Sequence, residues 1–255
     1  MRRYRSAVWV LSCLLAPGLA TAQQDAPQTA YVYASYFICD PAGEARADEI
    51  IARNFKPHYD TAVESGHLVS WSWLAHFVGG EWRRALVIAA TNMDDLLDSS
   101  GALGEVIEET TPEAGRAFTE VCPEHVDYIW ETVDGVASGI IGGERGPAGF
   151  SVYMECDIAR EERADEIVAE VFAPVYNRYV ESGGLTSWAW LKHNVGGTHR
   201  RLLSMTGPDH KTLAHARADI LEELGGRRSE RAMREAASIC NRHEDYMWDI
   251  RVETP

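Results

Sequence analysis

Residues 68–84 read LVSWSWLAHFVGGEWRR, and residues 185–201 read LTSWAWLKHNVGGTHRR. The two stretches match without gaps at an offset of 117 residues, and each has an apolar, aromatic run on either side of a Gly-Gly pair. Such a pair between two such runs is typical of a tight turn joining antiparallel strands. Each copy therefore predicts a β-hairpin, and the 255-residue chain is long enough to hold two similar modules.

Agreement between the copies extends well beyond the hairpin. The string RADEI occurs at 46–50 and again at 163–167, and downstream of the hairpin one inserted residue changes the offset to 118. The positions matched after that insertion are Cys122/Cys240, His125/His243, Asp127/Asp245, Tyr128/Tyr246 and Trp130/Trp248. A period this long is unlike that of a solenoid repeat, so we predict a tandem duplication of whole domains.

The duplication sets the domain boundaries. Residues 1–22 carry a charged start, a short apolar run and an Ala-Thr-Ala site, which is the pattern of a secretory signal peptide. Residues 23–30 are predicted to be a flexible tail, residues 31–133 module 1 and residues 150–255 module 2. Between the modules, residues 134–149 contain six glycines and one proline, which is typical of a linker.

Charge and hydropathy narrow the range of partners. A formal charge of −15 repels phosphate backbones and anionic lipid, so neither nucleic-acid binding nor membrane docking is expected. Beyond the leader, no segment is long and apolar enough to cross a bilayer. We therefore predict an exported protein, periplasmic or extracellular, that does not bind the membrane once the leader is cleaved. Its oligomeric state is left open.

The order of secondary structure within a module can be predicted from hydrophobic spacing. Residues 31–38 are aromatic and β-branched, which favours a strand, and residues 44–64 carry apolar residues mostly four apart, which favours a helix. Pro57 should kink that helix or divide it in two. After the hairpin come a second helix at 93–109 and a last strand at 126–133. The order β-α-β-β-α-β is the ferredoxin-like plan, an α+β fold.

That plan also predicts how the cysteines pair. Four remain after the leader is removed, and an even number in an exported chain suggests disulfides. In a ferredoxin-like sheet the first and last strands are neighbours, Cys39 ends the first strand and Cys122 precedes the last. The predicted pairs are therefore Cys39–Cys122 and, in module 2, Cys156–Cys240. The alternative is four free buried thiols.

The duplicated β-α-β-β-α-β order resembles the dimeric α+β barrel superfamily. This group includes antibiotic-biosynthesis monooxygenases, stress-responsive A/B barrel proteins, muconolactone isomerases and chlorite-dismutase-like haem proteins. The resemblance implies that the two modules pack sheet to sheet as a pseudo-dimeric barrel within one chain. No catalytic motif of these families transfers residue by residue, so the resemblance implies a fold rather than an activity.

The register of the hairpin predicts which side chains share a face. If Gly79-Gly80 is a two-residue turn, one face carries the tryptophans and an arginine of each copy. These residues are Trp71, Trp73 and Arg84 in module 1, with Trp188, Trp190 and Arg201 in module 2. The opposite face has smaller side chains that would let helices approach, so we predict that the tryptophan face lines the space between the modules. There it would bind a flat apolar ligand, with the arginines holding an acidic group. The alternative is that the tryptophans only fill the core.

Candidates for catalysis are fewer. His76 and His193 each lie opposite an arginine, which should keep the imidazole neutral and suited to act as a base or a haem ligand. Tyr36 and Tyr153 lie on one face of the first strand of their modules, and we predict that they bind the ligand if that face lines the barrel. Glu155 joins that face in module 2 only, where it would act in proton transfer. The alternatives are hydrogen-bonded histidines near the hairpin end and a glutamate at the solvated end of its strand.

Three hypotheses for function follow. The first is an exported protein that binds a small apolar or aromatic molecule between its modules. The second is an enzyme of the monooxygenase, isomerase or haem-using type, and the third is a structural or interaction module without a ligand. No metal-binding motif is present, and no cofactor is predicted, haem being suggested only by the resemblance.

Overall fold

In the computed structural model the described residues are 29–139 and 145–254, so the predicted signal peptide and most of the predicted tail lie outside them. Module 1 consists, in chain order, of β1 Tyr31–Ile38, α1 Glu44–Ile50, α2 Lys56–Glu64, β2 Ser70–Val78, β3 Arg84–Ala90, α3 Met93–Thr110, α4 Pro112–Val121 and β4 Glu124–Ser138. Module 2 consists of β5 Ala148–Glu155, α5 Glu161–Ile167, α6 Ala173–Glu181, β6 Ser187–Val195, β7 Arg201–Gly207, α7 His210–Leu224, α8 Glu230–Ile239 and β8 Arg242–Thr254. Strand β4 thus continues into the first residues of the segment predicted as linker.

The strands of both modules form one closed barrel. Within each module the order is the expected one, β4-β1-β3-β2 and β8-β5-β7-β6. Strand β2 pairs antiparallel with β8, and β4 pairs antiparallel with β6, so each sheet is joined to the other at both edges. Closure satisfies the backbone groups that an open sheet would leave exposed at its edges. The prediction of two tandem ferredoxin-like modules that form a pseudo-dimeric barrel is confirmed.

The Gly-Gly turn is explained by a close approach to a tyrosine. The hairpin has the predicted register, with Ala75 opposite Arg84. A Cβ atom added at Gly80 would lie 2.3 Å from the hydroxyl of Tyr246, and one at Gly197 would lie 2.5 Å from the hydroxyl of Tyr128. Each hairpin tip therefore folds over a tyrosine of the other module, and a side chain at the turn would push it away.

The first helix of each module is divided before its proline, as predicted. Residues Ile51–Phe55 form a π-helical turn between α1 and α2, in which the N–H of Lys56 bonds to the carbonyl of Ile51. Pro57 follows at the start of α2, where its missing N–H costs least. Module 2 has the same turn at Val168–Phe172.

Both predicted disulfides are present. Cys39 is bonded to Cys122, and Cys156 to Cys240, one pair in each module. Each bond joins the residue that follows the module's first strand to a residue two positions before its last strand. None of the described helices is long and apolar enough to span a bilayer.

Candidate functional site

The tryptophan face of the hairpins packs against the helices, and the prediction that it lines the space between the modules is wrong. The indole N–H of Trp71 donates to Asp60 on α2 at 2.9 Å, and that of Trp73 donates to Asp48 on α1 at 2.8 Å. In module 2, Trp188 donates to Asn177 at 2.8 Å and Trp190 to Asp165 at 2.7 Å. A buried indole N–H needs an acceptor, and the helices supply one for each.

The two arginines predicted to hold an acidic ligand are also used inside their own modules. Arg84 is 4% exposed, and its Nε and Nη2 atoms donate to the two carboxylate oxygens of Asp48 at 2.7 and 2.9 Å. Arg201 makes the same bidentate contact with Asp165, at 2.7 and 2.8 Å. These guanidinium groups fasten α1 and α5 to the barrel wall and do not face the space between the modules.

The opposite face of the hairpins lines the barrel and borders an internal cavity of about 130 Å³. Small and hydroxyl-bearing side chains from the two hairpins make up much of its wall. They are Ser70, Ser72, Ser187, Ala189, Ser204 and Thr206, and Leu74 and Leu191 lie among them on the same wall. Of the four hairpin tryptophans, only Trp188 contributes to this wall. The small residues taken in the sequence as the helix-facing side therefore create space inside the barrel instead.

One end of the barrel is closed by stacked aromatic rings. Trp82 stacks on Tyr36 with ring centres 4.3 Å apart and on Tyr246 at 5.0 Å. Tyr153 meets Tyr36 edge to face at 5.3 Å. In module 2 the position of Trp82 is held by His199, which contacts the same cluster. Strand alternation puts Trp82 on the same face as Trp71 and Trp73, but Trp82 precedes β3 and turns into the barrel instead of towards the helices.

Tyr36 and Tyr153 face the barrel interior and line the cavity. Burial raises the pKa of both hydroxyls well above 10. Both tyrosines are therefore neutral at physiological pH, and each hydroxyl is able to donate a hydrogen bond.

Two more tryptophans, which occupy matched positions in the two copies, complete the cavity wall. Trp130 on β4 and Trp248 on β8 are 0% and 1% exposed and border the cavity. Among the described residues, the indole N–H of Trp248 has no hydrogen-bond partner, and that of Trp130 has only a weak contact with the hydroxyl of Tyr36. An unpaired buried donor costs about 1–3 kcal/mol. The sequence marks these two tryptophans only by placing them at matched positions in the two copies.

His76 and His193 face the barrel tryptophans rather than the helices. Arg83 Nη1 lies 2.9 Å from Nδ1 of His76, and Arg200 Nη1 lies 2.7 Å from Nδ1 of His193. Because guanidinium nitrogens only donate, Nδ1 accepts and the neutral ring carries its hydrogen on Nε2. The ring of His76 is edge-on to Trp248, with centres 6.5 Å apart.

Burial, followed by the charge of the adjacent arginine, lowers the pKa of each of these histidines. Both are therefore neutral at physiological pH, as the sequence predicted. The buried Nε2–H lies beside the backbone carbonyl of Gly79 in His76 and of Gly196 in His193, although neither contact has regular hydrogen-bond geometry. This geometry leaves neither imidazole presented to the cavity as a base.

Glu155 and His199 lie at the end of the barrel that the stacked aromatic rings close. The side chain of Glu155 is 41% exposed and lies 3.8 Å from Arg242, so it is at the solvated end of its strand. His199 is 6% exposed, and burial lowers its pKa. The repeat gave no signal for His199, because the two copies differ at this position.

The described residues do not fit a haem group. The two cavities with the most apolar walls measure about 130 and 190 Å³, far less than the macrocycle needs. His76 and His193 have one ring nitrogen bonded to arginine and the other beside the carbonyl of a turn glycine. Within the described ranges, no group of three or more His, Cys, Asp or Glu side chains is arranged to hold a metal ion.

Comparison with solved structures extends the fold assignment. A candidate monooxygenase from Fusobacterium nucleatum superposes with a TM-score of 0.61 at 7% identity, covering 89% of this chain and 94% of that one. Chlorite dismutase from Candidatus Nitrospira defluvii gives 0.51 at 9% identity, covering 88% and 92%. A haem-binding protein from Thermus thermophilus gives 0.50 at 10% identity, covering 88% and 94%.

No protein-family model matches the chain. No curated protein matches it either. The element order, the closed eight-stranded barrel and the superpositions define the class: this chain has the dimeric α+β barrel fold, with both halves of the barrel in one polypeptide. Identities of this size show the fold alone, because this architecture hosts many functions.

Proposed function

We propose that this protein binds a small, largely apolar molecule in the barrel cavity between its two modules. The observation that carries the proposal is the buried indole N–H of Trp248, which borders the cavity without an acceptor among the described residues, together with that of Trp130, whose only contact is a weak one with the Tyr36 hydroxyl. A ligand with an acceptor atom, such as a carbonyl oxygen, would recover the free energy that each unpaired donor costs.

The size and charge of the cavity limit the ligand. Its volume of about 130 Å³ is close to that of an apolar protein cavity of about 150 Å³ known to take up benzene. Apart from Arg145 at the border, the described lining residues are uncharged. Both facts favour a neutral molecule with a single ring over an acidic ligand or haem, both of which were considered from the sequence.

Calorimetric titration of the mature protein with benzaldehyde, and with toluene as the matched ligand without a carbonyl, tests the proposal. We expect benzaldehyde to bind more tightly, because its oxygen accepts from an indole N–H. Trp130→Phe and Trp248→Phe should each weaken benzaldehyde binding about fivefold, the equivalent of one hydrogen bond. Trp71→Phe removes an indole N–H that bonds outside the cavity, so its affinity should equal that of the wild type.

Equal affinity for the two ligands, or unchanged affinity in both cavity variants, would show that ordered water rather than a ligand satisfies the indoles. The enzyme hypothesis rests on likeness to proteins under 25% identical, and the contacts of His76, His193 and Glu155 do not favour it. A module without any ligand predicts no internal cavity, and the cavity therefore counts against it.

A further inference from the structure

A second cavity, of about 190 Å³, lies on the outside of the barrel in module 2. It is enclosed between the sheet and helices α5 to α8, and its walls are almost entirely apolar. Its central lining residues are Met154, Phe172, Trp190, Leu221, Met233 and Ala236. Because the two modules share one fold, the same space can be compared in module 1, where side chains fill it.

In module 1 the corresponding space is filled by Phe118. This residue of α4 contacts Phe37 with ring centres 5.1 Å apart, Phe55 at 5.8 Å and Trp73 at 5.9 Å. At the offset of 118 that aligns the disulfide cysteines, its counterpart on α8 is Ala236. Exchanging a phenylalanine for an alanine removes a ring from the centre of an aromatic cluster.

The neighbouring exchanges do not refill the space. Met154 replaces Phe37, and Met233 replaces Gly115. Methionine side chains are flexible and polarisable, so they adapt to an occupant better than packed rings do. Module 1 has a cavity of about 150 Å³, but it lies against α3, bordered by Ser100 and Gly104, rather than under α4.

The module 2 cavity also has one polar edge. Asp245 accepts from Arg217 at 2.9 Å, and its other carboxylate oxygen lies 2.8 Å from Nδ1 of His243. The Arg217 guanidinium lies 4.5 Å above the ring of Phe150. Arg217 and His243 both line the cavity, while the position of Arg217 is Ser100 in module 1. The arginine and aspartate charges offset each other, so this edge suits a neutral polar group.

We propose that module 2 alone holds a second ligand site, which takes a neutral apolar molecule with one polar atom directed at Arg217 and His243. The barrel wall separates this site from the central cavity, and it does not depend on the function proposed above. Loss of the Phe118 ring at position 236 creates the site, and the exchange of Ser100 for Arg217 supplies its polar edge.

Methyl NMR of the mature protein labelled at its methionine methyl groups distinguishes the two sites. Met154 and Met233 line the module 2 cavity, Met205 lines the barrel cavity, and Met93 packs in module 1. We expect acetophenone to shift the signals of Met154 and Met233 in a saturable manner and to leave Met93 unmoved. Ethylbenzene, which has no carbonyl, should require a several-fold higher concentration.

Ala236→Phe should abolish the shifts of Met154 and Met233 and leave any shift of Met205 unchanged. Ala236→Leu is a smaller replacement that should weaken binding, and unaltered Met93 and Met205 signals in the free protein show that either variant is folded. Shifts of Met205 alone would overturn this proposal without affecting the barrel site. Undiminished shifts of Met154 and Met233 in folded Ala236→Phe would overturn it too.

Discussion

The indole of Trp73 donates a hydrogen bond of 2.8 Å to Asp48, which joins the hairpin to helix α1. The same carboxylate accepts from Arg84, so one aspartate binds two side chains of adjacent strands. Module 2 repeats this arrangement around Asp165. The string RADEI supplies the accepting aspartate, and the W-x-W and Arg-Arg pairs supply its donors. These three sequence features therefore agree between the copies because together they form one contact, which holds a helix on the barrel wall.

Asp48→Ala should destabilise the protein by about 3 kcal/mol, because it leaves the buried Arg84 guanidinium without its main partner. Glu49→Ala is the matched control, since that carboxylate is exposed and pairs only with Arg53. The control should change the free energy of unfolding by less than about 0.5 kcal/mol. Urea denaturation of both variants is the measurement, and equal stabilities would mean that the contact does not fasten α1.

The fold could be predicted from the sequence because the duplication repeats whole elements. Spacing, the Gly-Gly turn and the cysteine positions led to the observed modules and disulfides, and the barrel followed from the resemblance to the dimeric α+β barrel superfamily. The face of the hairpin could not be predicted from strand alternation, because alternation separates two faces without saying which is inside. The decision depended on where the indole N–H of Trp73 finds an acceptor, and that partner lies on a helix distant in sequence.

Removing the module 1 disulfide, as Cys39→Ala with Cys122→Ala, should lower the free energy of unfolding by roughly 4 kcal/mol. The bond spans 83 residues, and loop-closure entropy in the unfolded chain accounts for that amount. The module 2 bond spans 84 residues and should contribute equally. Denaturation of each double variant is the check, and a loss below about 1 kcal/mol would contradict the loop-entropy account.

Phe118→Ala should destabilise module 1 by about 3–5 kcal/mol, since it opens a cavity in a packed aromatic cluster. Ala236→Phe, the reciprocal change, fills existing space and should cost far less or stabilise the protein. Denaturation midpoints of the two variants measure this difference. Similar losses in both would show that the space beside Ala236 is not a real vacancy in the fold.

Stability should decrease as pH falls below about 6.5, in part because His76 and His193 stay neutral in the folded protein. Their folded pKa values are lowered, so the unfolded chain binds protons first. The stability that the neutral histidines contribute is fully present above their pKa in the unfolded chain. It is lost as the pH falls through their lower pKa in the folded protein. The difference between the free energies of unfolding at pH 7.5 and at pH 5.5 should be smaller in the His76→Gln, His193→Gln double variant than in the wild type. An unchanged difference would exclude these residues as the cause.

The candidate site was less accessible to sequence reasoning than the fold. Trp130 and Trp248 agree between the copies, but packing alone explains that agreement equally well, and only the structure shows that the indole N–H of Trp248 is unpaired and that of Trp130 weakly paired. The cavity beside Ala236 depends on the absence of a ring, and hydrophobic patterning treats alanine and phenylalanine alike. Differences between the copies, at Phe118/Ala236 and Trp82/His199, mark local packing that agreement between them does not reveal.

The most direct test of ligand binding in the barrel is the indole N–H spectrum of nitrogen-labelled mature protein during titration with benzaldehyde. We predict that the Nε1–H signals of Trp130 and Trp248 shift downfield as they gain an acceptor. Those of Trp71 and Trp73 are already bonded to carboxylates and should stay in place. Stationary Trp130 and Trp248 signals at saturating benzaldehyde would contradict the proposed site.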